Sequence, residues 1–149
     1  MQPELSKTLD QLENTDWGEP TYSSYLVRTC HALRKKPLQD FTIEDLRIMI
    51  GQNISLEYLM PLAIPELEKN ILAEGDFYPG DLLKAVLSAE GGFWEKHQGT
   101  HERVATLFRQ NINIFESNKE FKEINKAFEG FEGIVFPTEL LSKKRGKKA

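Results

Sequence analysis

The chain predicts an all-α fold, a single compact helical domain of about seven or eight helices over residues 1–142, with a short basic disordered tail at 143–149. Three observations carry that expectation. Apolar residues recur at steps of three and four along most of the sequence, the repeat that builds one buried stripe on a helix. Helix starts are marked by side chains able to cap free backbone N–H groups. The one β-like run, Ile134-Val135-Phe136, is too short to require a sheet.

Leu5, Leu9 and Leu12 predict a short first helix that ends before Trp17-Gly18-Glu19-Pro20. Tyr22, Leu26, Thr29 or Cys30, and Leu33 predict a second, closed by Lys35-Lys36-Pro37, where two cations suit the negative end of the helix dipole. Thr42 with Asp45 three residues on makes an acidic variant of the capping box, and Phe41 and Leu46 occupy the staple positions, so a third helix begins at Ile43. Its core face is Ile43, Leu46, Arg47 or Met49, and Ile50, and Gly51 ends or bends it. Leu56, Leu59, Ala63 and Leu67 predict the most apolar helix and the centre of the core. Pro61 and Pro65 interrupt it: an interior proline lacks the N–H donor and clashes with the preceding turn, at a cost of about 3 kcal/mol, so a kink or restart is expected at Pro65.

The string from Glu74 to Asp81, Glu-Gly-Asp-Phe-Tyr-Pro-Gly-Asp, is turn chemistry and reads as an ordered loop. Leu82, Leu83, Val86 and Leu87 restart a helix with Pro79 or Asp81 near its beginning, and Gly91-Gly92 stops it before Phe93-Trp94. Val104, Leu107, Phe108, Ile112 and Phe115 then predict one long amphipathic helix, and Phe121, Ile124 and Phe128 another.

A chain of 149 residues can bury a core without metals or disulfides, and 40% hydrophobic with 28% charged residues is a globular composition. No apolar run approaches the roughly 20 residues that span a bilayer, so no membrane partner is expected. The N-terminus has neither the basic nor the apolar region of a secretory signal, and the expected location is cytoplasmic. Cys30, the only cysteine, excludes an internal disulfide and reads as packing. Net charge is −4; setting aside the five cations Lys143, Lys144, Arg145, Lys147 and Lys148 leaves −9 for residues 1–142. Such a globule repels nucleic acid and attracts a basic protein. The tail could touch RNA phosphates, but with no aromatic interleaved to stack a base, a solvated terminus is the better reading.

Catalytic and cofactor templates fail. There is no Gly-rich phosphate loop, and His101-Glu102 starts a zinc-protease motif that Ala105 breaks. His97 and His101 stand four apart, but Gly99 between them marks a helix boundary, and the pair reads as helix-entry histidines rather than metal ligands. Glu74, Asp76 and Asp81 do not follow the EF-hand pattern; Asp76 and Asp81 are expected to accept N–H bonds within the turn, with Asp81 also capping the helix at Leu82. No enzyme, cofactor or metal is expected.

Leu46-Arg-Ile-Met-Ile-Gly-Gln-Asn-Ile-Ser-Leu-Glu-Tyr-Leu-Met-Pro-Leu-Ala-Ile, then Glu74-Gly-Asp-Phe-Tyr-Pro-Gly-Asp-Leu-Leu, then Phe93-Trp94 resemble the immunity proteins of bacterial contact-dependent growth inhibition systems over about a third of the chain. Ser55, where the family pattern leads one to expect glycine, and Pro65, where it leads one to expect an ordinary helix former, depart from it. The resemblance implies a cytoplasmic protein without a substrate that binds one toxin domain, the C-terminal region of a large surface-exposed effector, in a 1:1 complex. It implies neutralisation by blocking the active site or substrate entry of a nuclease, more often a ribonuclease. The competing reading is a cytosolic helical adaptor or regulatory protein with no toxin partner. Candidate toxin contacts are acids and amphipathic aromatics: Asp16, Trp17 and Glu19; Glu57 and Tyr58; Glu66 and Glu68; and Glu74, Asp76, Tyr78 and Asp81.

Overall fold

Thr8 opens the first helix of the computed structural model, which describes residues 4–21 and 24–136. Its hydroxyl accepts the Gln11 N–H at 3.2 Å, while the Gln11 side chain accepts the Thr8 N–H at 2.9 Å, a full capping box that starts α1 (Leu9–Glu13). Leu9 is completely buried, whereas Leu5 lies outside the helix and is exposed. Ser24 caps α2 (Tyr25–Leu33) through the Val27 N–H. Its inner side is Cys30 and Leu33, with Arg34 beyond, and Leu26 in the first turn is 40% exposed, contrary to the expected stripe. Tyr22, the rest of the 137–142 segment and the basic tail lie outside the described residues.

The Thr42–Asp45 box forms as expected. Thr42 accepts the Asp45 N–H at 3.1 Å, Asp45 accepts the Thr42 N–H at 3.0 Å, and α3 (Ile43–Gly51) follows with Leu46, Met49 and Ile50 buried. A 3₁₀ turn at Leu38–Asp40 leads into it. Helix α4 (Leu56–Lys69) carries the most buried face and packs on α3. It runs unbroken through Pro61 and Pro65, so the expected restart does not occur. At 100° per residue the two prolines fall on the side away from Leu59, Ala63 and Leu67. The carbonyls they leave without an intrahelical donor, those of Glu57 and Pro61, therefore lie on that side and not against the buried stripe.

The loop after α4 leads into α5 (Asp81–Leu87), whose Leu82, Leu83 and Val86 are fully buried. Gly91-Gly92 does not end this helix but opens the next, α6 (Gly91–Glu95). The first turn of a helix has no intrahelical N–H bonds to lose, so poor helix formers are tolerated there. The expected long helix from Val104 to Phe115 is two helices, α7 (Gln98–Gln110) and α8 (Ile112–Phe115). Asn111 separates them: its side-chain amide donates to the Leu107 carbonyl at 2.9 Å, the acceptor that its own backbone N–H would use in a continuing helix. Ile112, expected inside, is 36% exposed as a result. A 3₁₀ turn at Lys119–Phe121 precedes α9 (Lys122–Glu132).

The described residues are thus all-α, with nine α-helices and no strand; one isolated antiparallel bridge joins Glu74 and Pro79. None of these helices is long and apolar enough to cross a membrane. The chain divides into two compact units, residues 1–86 and 87–149. In the first, α2 packs on α3 and α3 on α4 around aliphatic side chains. In the second, α6 packs on α7 and α8 on α9 around aromatic ones.

The second core is a run of ring contacts. Phe108 stacks on Phe115 at 4.7 Å and on Phe128 at 3.9 Å. Trp94 meets Phe131 edge to face at 5.0 Å, and His101 stacks on Phe131 at 4.0 Å. The His101 Nε2–H donates to the Phe131 carbonyl at 2.7 Å, which satisfies a buried imidazole as part of the packing.

Candidate functional site

All eleven candidate contact residues fall within residues 1–86, in two polar clusters and on the outer faces of the helices. The first cluster is the loop from Glu74 to Asp81 and the start of α3. Asp81 is 4% exposed, and its carboxylate accepts the Gly75 N–H at 2.7 Å and the Phe77 N–H at 3.1 Å, with the Tyr78 N–H at 3.4 Å. It therefore binds the loop that precedes it, and that loop closes through Tyr78 carbonyl to Asp81 N–H at 3.0 Å. Glu44 holds the tip from the other side by accepting the Asp76 N–H at 2.9 Å.

Arg47 joins the two carboxylates. It donates to both oxygens of Glu44 at 2.6 Å, the i,i+3 spacing of one helix face, and its Nε is 3.8 Å from Asp81. The guanidinium also lies 4.4 Å from the centre of the Phe77 ring. These hydrogen bonds hold the Glu44 carboxyl below its ordinary range and the Arg47 guanidinium above its own. Two glycines make the turn possible. A Cβ at Gly75 would stand 2.4 Å from Glu44 Oε1 and 3.3 Å from Glu44 Cα, and Gly80 has φ of +91°, in the left-handed region.

Arg34, 1% exposed beyond the end of α2, is the centre of the second cluster. Its Nε donates to Asp10 at 2.8 Å and its Nη1 to Glu13 at 2.5 Å and to the Ser55 hydroxyl at 3.2 Å. Ser55 in turn donates to Glu13 at 3.0 Å. The Trp17 ring covers the guanidinium at 4.5 Å, and His31 meets that ring edge-on. Lys35 completes the cluster by bridging Asp10 and Asp16 at 3.1 and 3.0 Å. The Gly18 N–H, then Lys35, hold the Asp16 carboxyl below its ordinary range, and Asp16 in turn raises Lys35.

The other candidates are dispersed. Trp17 and Tyr78 are each 39% exposed, and Glu19, Glu57, Glu68, Glu74 and Asp76 are exposed. Half-buried Tyr58 donates its hydroxyl to the Leu12 carbonyl at 3.4 Å, and Glu66 faces Lys69 at 3.5 Å. Asp81 accepts loop N–H groups as expected, whereas Asp76 enters the loop network by donating its backbone N–H.

Sequence reading passed over Glu44, Arg34 and Phe77 and offered Arg47 or Met49 for the core face, of which Met49 is the buried one. Glu44 and Arg47 carried a signal, opposite charges three apart in a helix. Phe77 carried another, an apolar residue in the middle of turn formers.

Cys30 is buried, and burial raises its thiol. His97 donates its Nδ1–H to the Phe93 carbonyl at 2.8 Å, so both histidines of the second unit are bonded to backbone. Among the described residues no three His, Cys, Asp or Glu side chains are grouped to hold a metal. The two clusters are instead built for shape: each fixes a loop carrying an exposed aromatic and carboxylates. No curated protein matches the chain significantly. A family model for CDI immunity proteins matches residues 11–104, which take in Trp17, Arg34 and the whole Glu74–Asp81 loop, and the chain belongs to that family.

Proposed function

We propose that this immunity protein binds one cognate toxin domain, the C-terminal region of a contact-dependent growth inhibition effector, in a 1:1 complex in the cytoplasm. Family membership carries the general role, neutralising a CDI toxin. The finer reading is that the protein occludes the active site or substrate entry of a nuclease, more specifically a ribonuclease, without catalysis of its own. One observation supports it best: the acidic surplus and the exposed aromatics occur in the same part of the chain. Residues 1–86 hold 14 Asp and Glu against 8 Lys and Arg, a net −6, and every exposed large aromatic among the described residues, Trp17, Tyr25, Phe77 and Tyr78, belongs to them.

In this reading Trp17, Tyr58 and Tyr78 supply contact area, and Glu57, Glu74 and Asp76 stand where a nucleic-acid substrate would place phosphates. Asp16, Glu19, Glu66 and Glu68 form a screened rim. Asp81 acts from beneath by holding its loop in shape. Acidic charge speeds encounter with a basic toxin, and buried anchors set the dissociation rate.

The test is co-expression with the toxin domain encoded at the same locus. The expected result is a 1:1 complex on gel filtration, protection of cells from that toxin but not from unrelated ones, and association that slows from low to physiological salt. Full toxin activity in the presence of excess folded protein overturns the proposal.

A further inference from the structure

Phe77 is 69% exposed at the tip of a loop whose backbone N–H groups are held by carboxylates. An exposed ring on a loose loop would need no explanation, since single apolar residues are common on protein surfaces. This one is different in its support. The N–H groups of Gly75, Asp76 and Phe77 are all held by carboxylates, those of Asp81 and Glu44, and Arg47 ties both carboxylates together while lying against the ring. The network buries a carboxylate and fixes a backbone around two required glycines. A connection between two helices has no need of such a device, and an exposed ring gains little from folding because most of its surface stays in water.

We infer that Phe77 is the apolar anchor of the toxin interface and that it enters a hydrophobic pocket on the toxin whose rim carries lysine or arginine. The inference rests on the immunity reading and adds to it a residue and a partner chemistry. A ring already held in one place by its loop loses little freedom on binding, which is what separates an energetic anchor from an ordinary contact.

Charge specifies the rim. The loop carries the exposed carboxylates of Glu74 and Asp76, while Arg47 beside the ring is already engaged by Glu44 and by buried Asp81. A cationic rim on the partner meets these acids favourably. A second copy of this chain would bring the same acids against them, since residues 1–86 carry net −6, and like charges brought together across an interface are costly.

The experiment measures the affinity of the purified toxin domain for wild type, Phe77→Ala, Phe77→Leu and Tyr25→Ala, with the melting temperature of each. Tyr25 is the control because it is equally exposed, at 71%. Phe77→Ala is expected to weaken binding by about 30-fold or more, the lower bound for an interface hot spot. Its melting temperature should stay near wild type, Phe77→Leu should recover most of the loss, and Tyr25→Ala should bind within about threefold of wild type.

A second measurement covers the case in which Phe77→Ala disturbs the loop. Phe77→Cys can be spin-labelled selectively, because Cys30 is buried. The label should be mobile in the free protein and immobilised by the toxin. If wild type binds and protects while Phe77→Ala binds within threefold and the label stays mobile, the anchor is wrong and the immunity reading stands. If wild type neither binds nor protects, the immunity reading falls and the anchor with it. A concentration-dependent dimer of the free protein that Phe77→Ala dissolves would assign the ring to a second copy and equally overturn the inference.

Discussion

The two units use their aromatic side chains in opposite ways. Residues 87–149 contain seven of the nine phenylalanines, and Phe93, Phe108, Phe115, Phe121, Phe128, Phe131 and Phe136 are all buried. Residues 1–86 build their core from leucine, isoleucine and methionine and leave Trp17, Tyr25, Phe77 and Tyr78 in water. Ionic contacts differ in the same sense. The first unit uses Arg34 and Arg47, one buried and one half-buried, to shape loops. In the second, Arg109 pairs with Glu132 between exposed side chains, the kind of pair that contributes 0 to about 1 kcal/mol. On the proposed reading, stability and recognition rest on different side chains in the two parts, and perturbing them should have separable consequences.

The largest expected effect tests the stability side. Phe108→Ala removes a ring 1% exposed and stacked on two others, and should cost about 3–5 kcal/mol in chemical denaturation. Toxin affinity of the fraction that remains folded should not change. A selective loss of affinity would show that the second unit contributes directly to recognition, and the contrast would break.

Asp81→Ala is intermediate. It leaves the amides of Gly75 and Phe77 without their acceptor and should destabilise by about 2 kcal/mol. Because the loop then loses its fixed shape, toxin affinity should also fall, by roughly threefold to tenfold, the cost of ordering a freed segment on binding. Asp81→Asn, which keeps an acceptor oxygen, should do less on both measures. Equal stability in wild type and Asp81→Ala would mean that the loop is held by something other than this carboxylate.

The smallest effect is a pH dependence. Arg47, above all, keeps the Glu44 carboxyl below its ordinary range, so between the unfolded and folded values the unfolded chain binds more protons. The stability that Glu44 contributes is complete above about pH 4.3, the unfolded value, and is lost as pH falls through the folded one. The difference in melting temperature between wild type and Glu44→Gln should therefore be constant near neutrality and close on acidification below pH ~4. A difference that persists unchanged at low pH would show that the ion pair with Arg47 is not its source.

How far these features could be read in advance depends on how local their causes are. The Thr42–Asp45 start of α3 was legible because two side chains three residues apart determine it. The all-α class was legible because periodicity is summed over many residues. The equally local box at Thr8 and Gln11 went unread because Leu5 three residues earlier drew the helix start toward itself. Continuity of α4 was not legible from Pro61 and Pro65 alone, since tolerance of the prolines depends on which side of the helix faces the core. The Glu74–Asp81 loop was recognised as ordered and its Asp81 as an acceptor. The rest of its support comes from Glu44 and Arg47, more than 25 residues away in sequence, and no local pattern reports that meeting. Arg34 is the extreme case: nothing in Leu33-Arg34-Lys35 distinguishes the one cation that α1 and Ser55 enclose.

Ser55 stands at the entrance to α4 with φ of +52° and ψ of +38°, a left-handed conformation that costs a residue with a Cβ about 1–2 kcal/mol and a glycine almost nothing. The side chain that makes the conformation costly also reaches back 42 residues to Glu13 and to Arg34. The cost of entering α4 is thereby offset by a contact that its own sequence does not provide. One hydroxyl thus serves both the left-handed entrance of the most buried helix of the first unit and its tie to α1. A glycine at the same position would adopt that backbone at little cost and give up the link to Glu13 and Arg34.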